Sequence, residues 1–215
     1  MNPAMTPMSS FLSGITDFIA LHPHAAVWAV FLFAFSEAIP IVGTVVPGST
    51  LVVAVSALAI EAHINAWLLL VAATLGAILG DGASFWLGLS CHRQILERWP
   101  LNQFPGLIAR SQAFFDRYGG ASVFLARFTA VVRAFVPLIA GIVQMPARQF
   151  YVANVLSALV WAPAHVFPGV VFGFLVRIAG ARREHIFLLA IAAMIVVIAI
   201  ERLVSYWLRR RREGG

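Results

Sequence analysis

The chain contains no lysine, a single cysteine and little charge of either sign. Only 11% of its 215 residues are charged, whereas 61% are hydrophobic, and the mean hydropathy is +0.90. A soluble domain typically carries about 25% charged residues, so a soluble fold would have almost no polar surface here. The composition therefore indicates an integral membrane protein whose apolar surface faces lipid.

The shortage of cysteine and the absence of catalytic motifs exclude several classes of function. Cys91 is the only cysteine, so an internal disulfide or a paired-thiol redox site cannot form. The sequence has no Walker loop, nucleophile elbow or zinc-protease pattern. We therefore expect a protein that is not an enzyme and that needs no cofactor or metal.

Without lysine, the net charge of +6 rests on arginine alone. The arginines lie between and after hydrophobic runs, which the positive-inside rule explains better than nucleic-acid binding. We therefore expect no nucleic-acid partner and a cytoplasmic location for the larger basic set. That set comprises residues 93, 98, 110, 117, 148 and 209–212. It predicts a multi-pass protein with a cytoplasmic C-terminus.

Three apolar runs are long enough to span a bilayer as helices, at 64–90, 150–176 and 186–208. Pro163 and Pro168 interrupt the second run, and a basic tail extends the third to 186–215. Residues 1–25 form an N-terminal segment whose short helix at 9–21 is predicted to lie at the membrane interface, with an ordinary packing helix as the alternative. Residues 92–118 are polar and predict a connector at the membrane surface. The six tryptophans mostly lie near segment ends, as interface anchors do.

Two further apolar stretches, 26–60 and 119–145, are broken by proline and glycine. The breaks are Pro40, Pro47 and Gly48 in the first stretch, and Pro137 and Gly141 in the second. Proline frees the carbonyl four residues earlier, which for Pro40 is that of Ser36, and such a carbonyl must face protein or water. Arms of about 12 residues reach roughly 18 Å, short of the ~30 Å hydrocarbon core. The pattern predicts two re-entrant hairpins with a transport site near the midplane.

Four charges are candidates for burial at bilayer depth: Glu37 in 26–60, Asp81 in 64–90, and Arg127 and Arg133 in 119–145. A charge at bilayer depth costs at least ~2.5–3.5 kcal/mol, so it is usually functional or paired. The arginine fork suits phosphate, although the two arginines would meet on one ligand only if the backbone bends. Protonation of Glu37 would release a bound arginine. The alternative is a set of ion pairs that only braces the fold.

His165 lies in the same apolar surroundings, between Pro163 and Pro168. It is a candidate proton relay, and a packing histidine is the alternative.

An ordered set of residues resembles the DedA family, also called the VTT-domain family, over roughly residues 28–178. The set is Phe35-Ser36-Glu37, Pro40 and Val46-Pro47-Gly48; Gly76, Gly80, Asp81, Trp86 and Gly88; Phe124, Arg127-Phe128, Arg133, Pro137, Ala140-Gly141 and Met145; and Phe150, Asn154 and Trp161. The resemblance implies an all-α membrane protein. Its family domain, at about 26–180, would have two opposed re-entrant helical hairpins, inverted-repeat-like, packed with about three transmembrane helices.

The resemblance also implies a role in lipid handling in the bacterial inner membrane. Members are linked to translocation of undecaprenyl phosphate, to phosphatidylethanolamine or to proton-dependent membrane homeostasis, and eukaryotic relatives behave as scramblases. Glu37, Arg127 and Arg133 match the family's essential charges. Ser49 stands where many members have a second acid, so Asp81 compensates for it or the protein is a passive scramblase.

The residues and the resemblance together predict a flippase or scramblase for a phosphate-bearing lipid, such as undecaprenyl phosphate or a phospholipid, with protons as a second partner. Arg127 and Arg133 would hold the phosphate while Glu37 competes for them. A proton or ion antiporter and a non-transporting membrane scaffold are the alternatives. The sequence leaves the lipid, the direction and the oligomeric state open.

Overall fold

The computed structural model describes residues 21–61, 63–91, 101–129 and 132–179. Most of the predicted interfacial helix at 9–21 and all of the predicted C-terminal segment 186–215 lie outside these ranges. The described residues contain helices and no strands. The α-helices are α1 (Pro23–Glu37), α2 (Val42–Val45), α3 (Gly48–Glu61), α4 (Ala66–Cys91), α5 (Pro105–Tyr118), α6 (Ser122–Ala126), α7 (Val136–Ile142) and α8 (Ala147–Ala179).

Two of these helices, α4 and α8, are long and apolar enough to cross a membrane. Their 26 and 33 residues correspond to roughly 39 and 50 Å, more than the ~30 Å hydrocarbon core. Pro163 and Pro168 lie inside α8, which continues through both of them. The sequence predicted an interrupted run, but neighbouring helices pack along α8, and such packing tolerates proline in an apolar helix.

The first hairpin consists of α1 and α3, joined by the short α2, and packs beside α4. Gly80 of α4 lies against the carbonyl of Phe35, where a Cβ would approach the oxygen to 2.5 Å. Four residues further along α4, the Ser84 hydroxyl donates to the carbonyl of Ala38 at 3.0 Å. α1 therefore runs parallel to α4 and ends beside its middle.

The return arm of the first hairpin, α3, packs against α8 in the same way. Gly169 and Gly173 of α8 meet the backbone carbonyls of Val53 and Ala57, and this close approach leaves no space for a Cβ. The two helices therefore run parallel. Since only a few residues separate Glu61 from the start of α4, the first hairpin begins and ends at the same end of α4.

The second hairpin consists of α6 and α7, with turns at residues 127–128 and 132–135 between them. It approaches α4 from the opposite end, where Gly88 meets Gly141 and the rings of Phe85 and Phe150 stack at 4.0 Å. Residues 130 and 131 lie outside the described ranges. The tips of the two hairpins thus meet beside the middle of α4 and α8.

One predicted free carbonyl and two predicted break residues differ from the structure. The Ser36 carbonyl is not free, since the Ile39 N–H donates to it at 3.2 Å in a turn after α1. Pro137 lies in the first turn of α7, where a missing N–H is tolerated, and Gly141 lies inside α7 at its crossing with α4. The break of the second hairpin therefore precedes both residues.

Candidate functional site

Glu37 is buried at the tip of the first hairpin and joins the two hairpins. Its Oε1 accepts a hydrogen bond from Arg133 Nη1 at 2.7 Å and another from the Ser49 hydroxyl. Arg133 Nη1 also lies 3.1 Å from Ser49 Oγ. Gly48 makes this possible, because a Cβ at that position would lie 2.7 Å from Glu37 Cβ.

Arg127 is buried at the other tip and binds the two long helices rather than the first hairpin. Its Nη2 donates to Asp81 Oδ2 of α4 and, at 2.5 Å, to Asn154 Oδ1 of α8. Asn154 Nδ2 donates in turn to the carbonyl of Ile78 at 3.1 Å. Asn154 therefore holds both the Arg127 side chain and α4 in a fixed position relative to α8.

Trp161 of α8 forms one wall beside Arg133. The Arg133 guanidinium carbon lies 5.3 Å from the centroid of the Trp161 ring, within cation–π distance. The side chain of Trp161 is buried, with 1% of its surface exposed, so this tryptophan is not an interface anchor. His165 stacks on the same ring at 4.5 Å, and its Nδ1 donates to the Trp161 carbonyl at 2.8 Å.

We call Glu37, Ser49, Asp81, Arg127, Arg133, Asn154 and Trp161 the central cluster. Within it, Arg127 Nε, Arg127 Nη1 and Trp161 Nε1 are buried donors that have no acceptor among the described residues. Glu37 Oε2 is a buried acceptor without a donor there. Each buried unsatisfied group costs about 1–3 kcal/mol, so three donor nitrogens without an acceptor suit a ligand rich in acceptor oxygens.

The structure brings together all five side chains predicted for substrate binding, but in two groups. Arg133 pairs with Glu37 and Ser49, whereas Arg127 pairs with Asp81, so the two arginines share no partner. The two groups are close enough for the charges of Glu37 and Arg133 to act on Asp81. His165 lies beyond Trp161 and forms no hydrogen bond or ion pair with a charged side chain of the described residues.

Sequence reasoning did not assign a role to Asn154 or to Trp161. Both lie in the apolar run 150–176, where a buried amide or an indole needs a polar partner. An asparagine within a spanning helix was the available signal for one of them. Asn154 and Trp161 also belong to the residue set that carries the family resemblance, but that set says nothing about their roles.

The sequence that forms these acid–arginine pairs and the two long helices also matches the model of a known family. Residues 46–171 match the family model of the VTT domain. The chain belongs to the VTT-domain, or DedA, family. The central cluster therefore lies in a VTT domain, except for Glu37, which precedes the matched region.

Bacterial membrane proteins are among the relatives of this VTT-domain protein. It is 29% identical to the inner membrane protein YabI of Escherichia coli over 160 residues, which cover 74% of this chain and 63% of YabI. It is 28% identical to the protein DedA of Escherichia coli, covering 79% of this chain and 77% of DedA. An uncharacterized membrane protein of Buchnera aphidicola is 23% identical, covering 93% and 78%. No solved structure matches the chain significantly.

Proposed function

We propose that this VTT-domain protein moves a lipid with a phosphate-bearing headgroup between leaflets. Undecaprenyl phosphate and phospholipids are the candidate substrates. The observation that carries the proposal is Arg127, whose Nε and Nη1 are buried without an acceptor among the described residues. These two donors lie on different edges of the guanidinium group, and the several oxygens of a phosphate headgroup could accept a charge-assisted hydrogen bond from each.

The exchange of partners at Arg133 supplies the release step of this proposal. Arg133 donates to both Glu37 and Ser49, and a phosphate would take over these bonds. Glu37 would then lose its cation while it remains buried, which favours uptake of a proton. Departure of the lipid would return Arg133 to Glu37 and expel the proton. Lipid and proton would thus be linked, each changing the affinity for the other by the same factor.

The placement of the hairpins supports a pathway from both sides. The first hairpin begins and ends at one end of α4, and the second approaches from the opposite end. We propose that both re-enter the bilayer without crossing it. YabI is an inner membrane protein by name, and we propose the same location here, with connector and C-terminal tail in the cytoplasm.

Reconstitution tests the proposed activity. Purified protein in liposomes that contain a labelled phosphate-bearing lipid should make that lipid accessible from both leaflets faster than protein-free liposomes do. Arg110→Ala, a substitution of an exposed arginine on α5, is the matched control and should transport normally. The proposal would be contradicted if the folded, reconstituted protein leaves the labelled lipid in one leaflet.

A proton or ion antiporter is the second candidate, favoured by the buried and unpartnered Glu37 Oε2, which can take a proton. The two candidates can be separated with a pH or sodium gradient across liposomes made only of lipids without phosphate. An antiporter exchanges the cations without any phosphate-bearing lipid, whereas the proposed lipid transporter moves protons only when that lipid is present.

A further inference from the structure

A groove of about 580 Å³ lies between α6 and the N-terminal part of α8, outside the central cluster. Its wall is mostly apolar, and its polar side chains are Arg148 and Gln149. Its apolar wall includes Phe124, Val152, Ala153 and Leu156. A cavity of this size is within the range of small-ligand sites.

The two ends of the groove differ in chemistry. Arg148 and Gln149 are exposed in the first turn of α8, and Arg148 forms no ion pair with any described residue. From there, Val152 and Leu156 continue along one stripe of α8 at helical spacing, each with more than half of its surface exposed. A cation at one end of an apolar groove is complementary to an amphiphile with an anionic headgroup and a hydrocarbon chain.

The groove also lies next to the central cluster along the chain. Phe124, on one wall, belongs to α6, which ends at Ala126 directly before Arg127. On the other wall, Ala153 precedes Asn154, the partner of Arg127. A molecule in the groove would therefore touch α6, which directly precedes Arg127, and α8, which carries its partner Asn154.

We propose that this groove is a lateral docking site for an anionic lipid, which binds there before its headgroup reaches the central cluster. The acyl chain lies along Phe124, Val152 and Leu156, and the headgroup phosphate contacts Arg148 and Gln149. This inference rests on the proposed lipid transport, since it names where the substrate first binds. Charge complementarity selects an anionic lipid over a neutral one.

Photolabelling of the full-length protein tests the docking site. The probe is phosphatidic acid with a diazirine in its acyl chain, in phosphatidylcholine vesicles, and the labelled peptides are mapped by mass spectrometry. We expect labels on residues of the groove. Arg148→Glu should lower this labelling about 3- to 10-fold, in line with reversal of one exposed charge. Arg110→Glu makes the same charge change away from the groove and should leave the labelling unchanged.

A second pair of variants tests the apolar part of the groove. Val152→Trp should fill the groove and reduce labelling, whereas Val160→Trp, at a similarly exposed valine of α8 that does not line the groove, should not. Both should unfold near the wild-type temperature, since both side chains are exposed. Labelling that is insensitive to Arg148→Glu and Val152→Trp would overturn the docking site. So would cross-links showing that residues 186–208 or a second copy of the chain fill the groove.

The docking site and the proposed function fail separately. Arg133→Ala removes a central arginine that the groove does not contain, so it should lower transport about 10- to 100-fold and retain groove labelling. If wild-type protein is labelled in the groove but transports no lipid, the proposed function is wrong and the docking site stands. If transport is normal and the groove is unlabelled, the docking site is wrong.

Discussion

Glu37 and Arg133 are 96 residues apart in the sequence, yet Glu37 Oε1 and Arg133 Nη1 lie 2.7 Å apart. The pair connects the tips of the first and second hairpins. Arg127, by contrast, is bound to α4 and α8 through Asp81 and Asn154. One arginine is therefore held between the hairpins and the other by the two long helices, and substitutions at the two should differ.

Glu37→Gln should give a folded protein that binds a phosphate-bearing lipid at least as tightly as the wild type and transports it without pH dependence. Glutamine keeps an oxygen for Arg133 but mimics the protonated acid. The measurements are thermal unfolding, lipid binding and transport against pH, with Asp116→Asn, at an exposed acid on α5, as control. If the Glu37–Arg133 pair only braces the fold, Glu37→Gln should instead lower the free energy of unfolding by about 3–5 kcal/mol. Unchanged pH dependence in a folded variant would refute the proton link.

Arg127→Ala and Arg133→Ala should each lower transport by about 10- to 100-fold, the value of one charge-assisted hydrogen bond of ~1.5–3 kcal/mol. Lysine should restore only part of the rate, because an ammonium group lacks the planar fork. The double variant Arg127→Leu with Asp81→Leu removes both buried charges, so it should recover stability but not transport. Arg133→Ala that transports at the native rate in liposomes would exclude the headgroup role.

Trp161→Phe should keep the fold and weaken lipid binding several-fold. Phenylalanine retains an aromatic face beside Arg133 but lacks the Nε1 donor. Trp161→Leu should weaken binding further, since it removes the ring and with it a cation–π contact worth ~0.5–2 kcal/mol. The control is Trp86→Phe, at an exposed tryptophan whose Nε1 donates to Tyr151. Binding equal to wild type in Trp161→Leu would show that the indole has no part in the site.

Gly80→Ala should destabilise the protein by about 1–3 kcal/mol, as overpacking does. A Cβ at residue 80 would lie 2.5 Å from the Phe35 carbonyl oxygen and 2.8 Å from Ala38 Cβ. Gly106→Ala on α5 is the control, because a Cβ there meets nothing within 4 Å. Thermal unfolding in detergent measures both. Equal unfolding temperatures would mean that α1 does not depend on close contact with α4.

The topology can be mapped with cysteines introduced into a Cys91→Ser background. His24→Cys and His63→Cys lie at the two bases of the first hairpin and should react from the same side of the membrane. Arg110→Cys should react from the other side, together with Arg210→Cys in the tail beyond the described residues. Labelling of residues 24 and 63 from opposite sides would show that the first hairpin crosses the membrane.

The sequence predicted the class of fold from local properties. Apolar runs located α4 and α8 because a spanning helix requires a continuous run, and Pro40 and Pro47 indicated an interruption between α1 and α3 because proline disfavours the middle of a helix. The same argument misplaced the second tip. Pro137 fits the first turn of a helix as well as a break, and only the backbone geometry distinguishes the two.

The pairing of the buried charges could not be predicted in this way. No local pattern relates Asp81 to Arg127 or Glu37 to Arg133, since each pair depends on how the hairpins meet the long helices. The burial of Trp161 was hidden for a related reason. A helix that is apolar all round gives no sign of which face meets protein and which meets lipid.

The four charges of the central cluster, two acids and two arginines, sum to zero. A phosphate monoester brings a charge of about −1.5 to −2 at pH 7, so its arrival makes the interior anionic. Moving each unneutralised charge across the bilayer changes the energy by about 2.3 kcal/mol per 100 mV. Transport without an accompanying proton would therefore be electrogenic and respond to membrane voltage, and each proton taken up by Glu37 would reduce that response by one charge.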